Sequence, residues 1–124
     1  MSQAGEPLAT RMKGYEQAPI LIHRIPKVIR LDGRSFGTYL RKVKDVFDPA
    51  VVTAMVAAAK AVMEDIGGTA RMAYLQSDEC SIVLNDFLDL NTQGWFGNNM
   101  QKMASVSSSI FTKHFGTSLS LIHI

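Results

Sequence analysis

Apolar positions along the chain change period several times, and each change marks an element. Pro26 to Asp32 contains the short β-rich run KVIRL, and the two glycines of the following DGRSFG end it. Asp48 stands as an N-cap before Pro49 at the first helical position, after which Val51, Met55, Ala58 (or Ala59), Val62 and Ile66 recur until Gly67-Gly68. That spacing predicts an amphipathic helix. Ala70 to Gln76 and Glu79 to Asn85 read as two apolar strands joined across Ser77-Asp78, a hairpin signal with the acidic pair Asp78 and Glu79 at its tip. After a loop rich in Asp, Asn and Gly, the stretch from about Phe96 to Phe115 sets Met103, Val106 (or Ser107), Ile110 and His114 along one side, and Gly116 ends it.

The predicted order, β-α-β-β-α, is that of a ferredoxin-like split βαβ unit without its last strand, and GTSLSLIHI is the stretch left to supply that strand. The expected class is α+β, an antiparallel sheet with the helices on one face. The first strand would lie beside the hairpin, about 4.8 Å away, so that Asp32 would face Asp78. Carboxylates converging in this way repel one another unless a cation lies between them, and oxygen-only ligation suits Mg²⁺. A solvated turn is the other reading of an acidic tip.

Composition narrows the class. The 124 residues allow one domain, and 47% apolar with 19% charged residues describe a globular chain. Cys80 is the single cysteine, so it forms no internal disulfide and reads as a buried thiol in a reducing compartment. The start MSQAGEPLATRMKGYEQ lacks the apolar core of a signal peptide and no run is long enough to cross a bilayer, which makes a cytoplasmic location the expectation. Charge is uneven: residues 1–47 hold nine Lys/Arg against four Asp/Glu, and the rest holds four against seven. A basic first third suits a polyanionic partner, or is simply a solvated surface.

RLDGRSF (Arg30 to Phe36), followed by AYLQSDECSIVL (Ala73 to Leu84), resembles the tRNA-histidine guanylyltransferase family. RMKGYE, FDP and LNTQGWFGNNMQKMASVSSSIFTKHF are similar to its bacterial-type branch of 3′-5′ reverse polymerases, so the resemblance covers most of the chain. It implies a polymerase-type palm and an Mg²⁺-dependent nucleotidyltransferase that adds nucleotides to the 5′ end of tRNA in the 3′-5′ direction. The outcome would be 5′-end repair or guanylylation of tRNA-His, with GTP and ATP as substrates. Carried over by position, Asp32 and Asp78 would hold two Mg²⁺ ions, the Gly33 carbonyl would complete one of them, and Glu79 would support the site from beside it. The backbone of Gly33, Arg34, Ser35, Phe36 and Gly37 would cradle the triphosphate, Ser77 would contact the nucleotide, and Lys102 would meet the triphosphate as a point charge.

Two positions depart from the family: it usually has histidine at Gly37 and lysine at Asp48. Its members run to about twice this length, within the size of one domain, and are tetramers. Residues 1–118 would then be the N-terminal part of the palm, and this chain alone is expected to be inactive. The last six residues, LSLIHI (119–124), resemble the translation of a sequencing adapter. An inactive RNA-binding fragment and a palm-type nucleotide cyclase are the rival readings, and RLDGRSF argues against the cyclase.

Overall fold

A computed structural model of the chain describes residues 7–17, 19–33 and 49–123, the last three by their backbone alone. Helix α1 (Leu8–Lys13) is short and exposed along its whole length. Strand β1 (Lys27–Asp32) alternates strictly, with Lys27, Ile29 and Leu31 turned inward and Val28, Arg30 and Asp32 exposed. This is the period of two expected where one face of a sheet is covered. The expected N-cap at Asp48 lies outside the described residues.

Helix α2 (Pro49–Ile66) buries Val51, Ala54, Met55, Ala58, Ala59, Val62 and Ile66, so the apolar stripe read from the sequence is the buried face. Gly67 follows at φ 85°, a left-handed position that costs glycine little, and its N–H donates to the Met63 carbonyl at 2.9 Å. That closes the helix and turns the chain into the hairpin.

Strands β2 (Ala70–Gln76) and β3 (Glu79–Leu84) pair antiparallel, and β3 also pairs antiparallel with β1. The sheet order is β1-β3-β2, so β1 and β2 run parallel to each other with β3 between them. A register shift between Ala70 and Met72 leaves Arg71 as an extra residue, a bulge near the start of β2. Inward-facing Cys80, Ile82 and Leu84 form the floor of the core together with Ile29, Leu31 and Leu75. Both long helices pack on that face, while Val28, Met72 and Tyr74 stay exposed on the other. The chain is therefore an α+β fold with an antiparallel sheet and helices on one face.

Helix α3 (Met100–His123) differs from expectation at both ends. It starts later than Phe96 because Trp95–Asn98 forms a tight turn in which Phe96, Gly97 and Asn98 have φ of 52°, 58° and 63°. Asn99 then caps the helix, its Oδ1 accepting the Lys102 N–H at 3.1 Å. At the other end α3 does not stop at Gly116 as expected but runs through it, so that the stretch left to supply a last strand is helical to His123. Met103, Ser107, Phe115 and Leu119 are buried and fall at multiples of four residues, with Phe111 half-buried between them. Burying Leu119 contributes roughly 1.5–3 kcal/mol, which outweighs the ~1 kcal/mol cost of a mid-helix glycine. His114, expected on the apolar side, is exposed, and Phe115 takes that place. Among the described residues no helix is long and apolar enough to cross a membrane.

Candidate functional site

The β1:β3 register determines which acids meet. Asp32 lies directly opposite Glu79, not Asp78, which stands one residue further out in the hairpin turn. Directly opposed residues place their Cβ atoms ~5 Å apart. Beyond the strand ends the ladder continues by one bond, the Gly33 N–H donating to the Asp78 carbonyl at 3.0 Å. Asp32, Asp78 and Glu79 are thus brought to one end of the sheet by β1 and the hairpin. The Gly33 amide is already used, so its carbonyl is what Gly33 has left to offer.

The turn itself is strained. Ser77 has φ 55°, a region where glycine would be more comfortable. At the same end Arg30 Nη2 lies 2.7 Å from Glu79 Oε1. The Glu79 hydrogen bond and charge, with a smaller contribution from Asp32, raise the Arg30 pKa further above its ordinary value. This diagonal ion pair was not read from the sequence, although an arginine two residues before Asp32 and a glutamate opposite Asp32 supply the pattern for it. Among the described residues no group of three or more His, Cys, Asp or Glu converges closely enough to hold a metal ion. Asp32 and Asp78 supply two carboxylates, and Glu79 is turned to Arg30.

Arg34, Ser35, Phe36 and Gly37, the expected phosphate cradle, lie outside the described residues. Lys102 is exposed in the first turn of α3. That turn follows Asn98, which bonds to Asp86 just beyond Leu84. Leu84 pairs with Lys27 at the start of β1, so Lys102 belongs to the end of the sheet away from Asp32. The six residues of β1 separate the two ends by about 17 Å. The structure groups Asp32, Gly33, Ser77, Asp78 and Glu79, and sets Lys102 apart from them. Cys80, behind Glu79 in the core, is fully buried, and burial pushes its thiol up to about 11, as for an unreactive packing residue.

The far end holds a polar hub that the sequence reading missed. Asp86 is buried and accepts from the Arg24 N–H at 3.0 Å, from Lys27 Nζ at 3.1 Å and from Asn98 Nδ2 at 2.9 Å. Burial works to raise its pKa, but the bonds from Asn98, Arg24 and Lys27 and the Lys27 charge prevail and hold the carboxyl well below the usual range. Arg24 also reaches the Asp89 and Leu90 carbonyls. The Leu21 N–H donates to the Asn98 carbonyl at 2.9 Å and the Met100 N–H to the Pro19 carbonyl at 2.9 Å. This hub ties residues 19–27 to the loop before α3 and thereby fixes where β1 enters the sheet.

The sequence profile of the tRNAHis guanylyltransferase (Thg1) family matches residues 9–123. A bacterial tRNA(His) guanylyltransferase (Thg1)-like protein, solved in complex with GTP, superposes with a TM-score of 0.84 at 37% identity, covering 91% of this chain and 52% of that one. A structure of a protein so described in complex with ATP gives a TM-score of 0.84 and 37% identity over 92% of this chain and 50% of that one. The chain thus spans about half the length of these solved relatives. No curated protein matches it. A family pattern running from α1 to the end of α3, and a shared backbone at 37% identity, place the chain in the tRNAHis guanylyltransferase family.

Proposed function

We propose that this chain is the carboxylate-bearing half of an Mg²⁺-dependent nucleotidyltransferase that adds nucleotides to the 5′ end of tRNA in the 3′-5′ direction. The observation that carries the proposal is the β1:β3 register, which brings Asp32, Asp78 and Glu79 to one end of the sheet. The order β1-β3-β2, with a helix between β1 and β2, supports reading the sheet as the split βαβ part of a ferredoxin-like polymerase palm. The relatives in complex with GTP and with ATP support purine nucleoside triphosphates as substrates.

Two carboxylates and a main-chain carbonyl on adjoining strand ends are hard oxygen donors, the set that Mg²⁺ takes. Asp32, Asp78 and the Gly33 carbonyl would hold two ions, which when bound supply charge stabilisation for in-line displacement at phosphorus. The strand ends hold the two aspartates in fixed relation, so little reorganisation is needed when charge develops on the transferred phosphoryl group. Ser77, at the hairpin tip, would donate to nucleotide oxygens. Glu79, one position inward, supports the site through its bond to Arg30. Because the Gly33 amide serves the Asp78 carbonyl, the phosphate cradle falls to the amides of residues 34–37. For Lys102, at the other end of the sheet, a triphosphate role requires a contact separate from the carboxylate pair.

In this reading the complete protein acts on tRNA in the cytoplasm as a homo-tetramer, and exposed Ile20, Ile22, Ile25, Leu88 and Leu90 supply apolar surface for such an assembly. The deciding experiment measures Mg²⁺-dependent incorporation of labelled nucleotide into 5′-truncated tRNA and into tRNA-His by the full-length protein carrying these residues. Incorporation that requires Asp32 and Asp78 supports the proposal. Cyclic-nucleotide formation, or tRNA binding with no incorporation, would replace it with a cyclase or an RNA-binding role.

A further inference from the structure

Glu79 sits opposite Asp32 and next to Asp78, which makes it the natural third carboxylate of the cluster. A site with three carboxylates differs in kind from one with two. Mg²⁺ keeps most of its water and takes one or two carboxylates, whereas Ca²⁺ accepts more oxygens, often from a bidentate carboxylate. What becomes of Glu79 therefore decides which cation the site prefers.

Arg30 decides it by geometry. It lies on the exposed face of β1, opposite Ser81 and so diagonal to Glu79, a separation that long side chains span. Its Nη2 holds Glu79 Oε1 at 2.7 Å. The two side chains are 61% and 34% exposed, and ion pairs this accessible add little to folding stability. The consequence of the pair is positional: it fixes the Glu79 carboxylate along the open face of the sheet.

We infer that Arg30 is a positioning residue and metal-selectivity determinant, which withholds the Glu79 carboxylate from the Asp32/Asp78 pair and keeps the site a two-carboxylate, Mg²⁺-preferring one. The inference rests on the metal reading proposed above. Releasing Glu79 adds one negative charge within ~6 Å of the bound cation, which in a high-dielectric setting is worth about a factor of ten in affinity.

The test is direct binding of Mn²⁺ to this chain, followed by the paramagnetic signal of free Mn²⁺, with Mg²⁺ and Ca²⁺ as competitors and no nucleotide present. Arg30→Ala is expected to tighten Mn²⁺ by about three- to tenfold and to move the competition toward Ca²⁺. Arg30→Lys, which keeps a cation in reach of Glu79, stays within about twofold of the parent. In a Glu79→Gln background Arg30→Ala is expected to tighten Mn²⁺ by clearly less than in the parent, because only the guanidinium charge is lost and no third carboxylate remains to be released. Equal effects in the two backgrounds would mean that Arg30 acts as a charge in its own right, and would overturn the inference. So would an unchanged affinity in Arg30→Ala when Asp32→Asn abolishes binding. Mn²⁺ binding that Asp32→Asn leaves intact overturns the metal reading itself, and this inference with it.

Discussion

Asn98 Nδ2 donates to Asp86 Oδ2 at 2.9 Å and lies 2.8 Å from His23 Nδ1, so one amide group links the loop before α3 to the segment entering β1. Asp86 is 4% exposed and Asn98 1%, and the Lys27 side chain that completes the hub is 10% exposed. Bonds this well shielded from water are costly to break. Asp86→Ala leaves Lys27 and Asn98 buried without their acceptor, and is expected to lower unfolding free energy by about 3–5 kcal/mol. Urea denaturation checks it, with a loss under about 1 kcal/mol counting against the hub.

The same residue sets a pH response. Its folded pKa is depressed below the ordinary carboxylate value, so as pH falls the unfolded chain takes up the proton first. The stabilisation is complete above the ordinary carboxylate range and is lost as pH falls through that range toward the folded value. Unfolding free energy measured from pH 7 to pH 3 should drop steeply below about pH 5, and more shallowly in Asp86→Asn.

Gly94 gives an independent route to the hub. A Cβ built there would lie 2.3 Å from Asn98 Oδ1, and Asn98 is packed too tightly to withdraw. Gly94→Ala should therefore displace Asn98 and cost about 1–3 kcal/mol, seen as a fall in Tm. An unchanged Tm would show that the loop yields.

Gly116 tests the continuation of α3. A Cβ there meets nothing within 4 Å. In a helix interior alanine is favoured over glycine by about 0.5–1 kcal/mol, so Gly116→Ala should stabilise the chain by that amount, measured by urea titration. If the segment left the helix at Gly116, the same change would be neutral or harmful.

At the acidic end, Asp32→Asn and Asp78→Asn preserve shape and remove charge. Each should lower nucleotide addition by the full-length protein more than roughly 100-fold, beyond what losing a supporting contact costs, while the urea midpoint of this chain moves little. Retained addition at saturating Mg²⁺ in either variant would remove that aspartate from the site.

The regular elements were legible because their signals are local. KVIRL, the α2 stripe and the Ser77-Asp78 hairpin each depend on spacing within about one element, and each agrees with the structure. The convergence of Asp32 with the hairpin acids was also legible. The one-residue offset that sets Glu79 against Asp32 was not, since register is a property of the ladder between strands. Asp86 and Asn98 were passed over because a stretch rich in Asp, Asn and Gly looks solvated, and what buries them is a segment more than 60 residues earlier in the chain. At the end of α3, Leu119 satisfies both a period of two and a period of four, and Gly116 tipped the reading the wrong way.

The central place of β3 also governs when the acidic end comes into being. Its pairing with β2 closes a loop of only Ser77 and Asp78, whereas its pairing with β1 closes one of 46 intervening residues. The entropy cost of closure grows with loop length, so the hairpin is the nearer event and β1 the more distant. A refolding chain that has formed only the hairpin carries Asp78 and Glu79 side by side with no Asp32 opposite and no Arg30 to receive Glu79. The site is therefore absent from every partly folded state that lacks β1. On the metal reading proposed above, a gain of divalent-ion affinity during refolding would serve as a clock for the docking of that single strand.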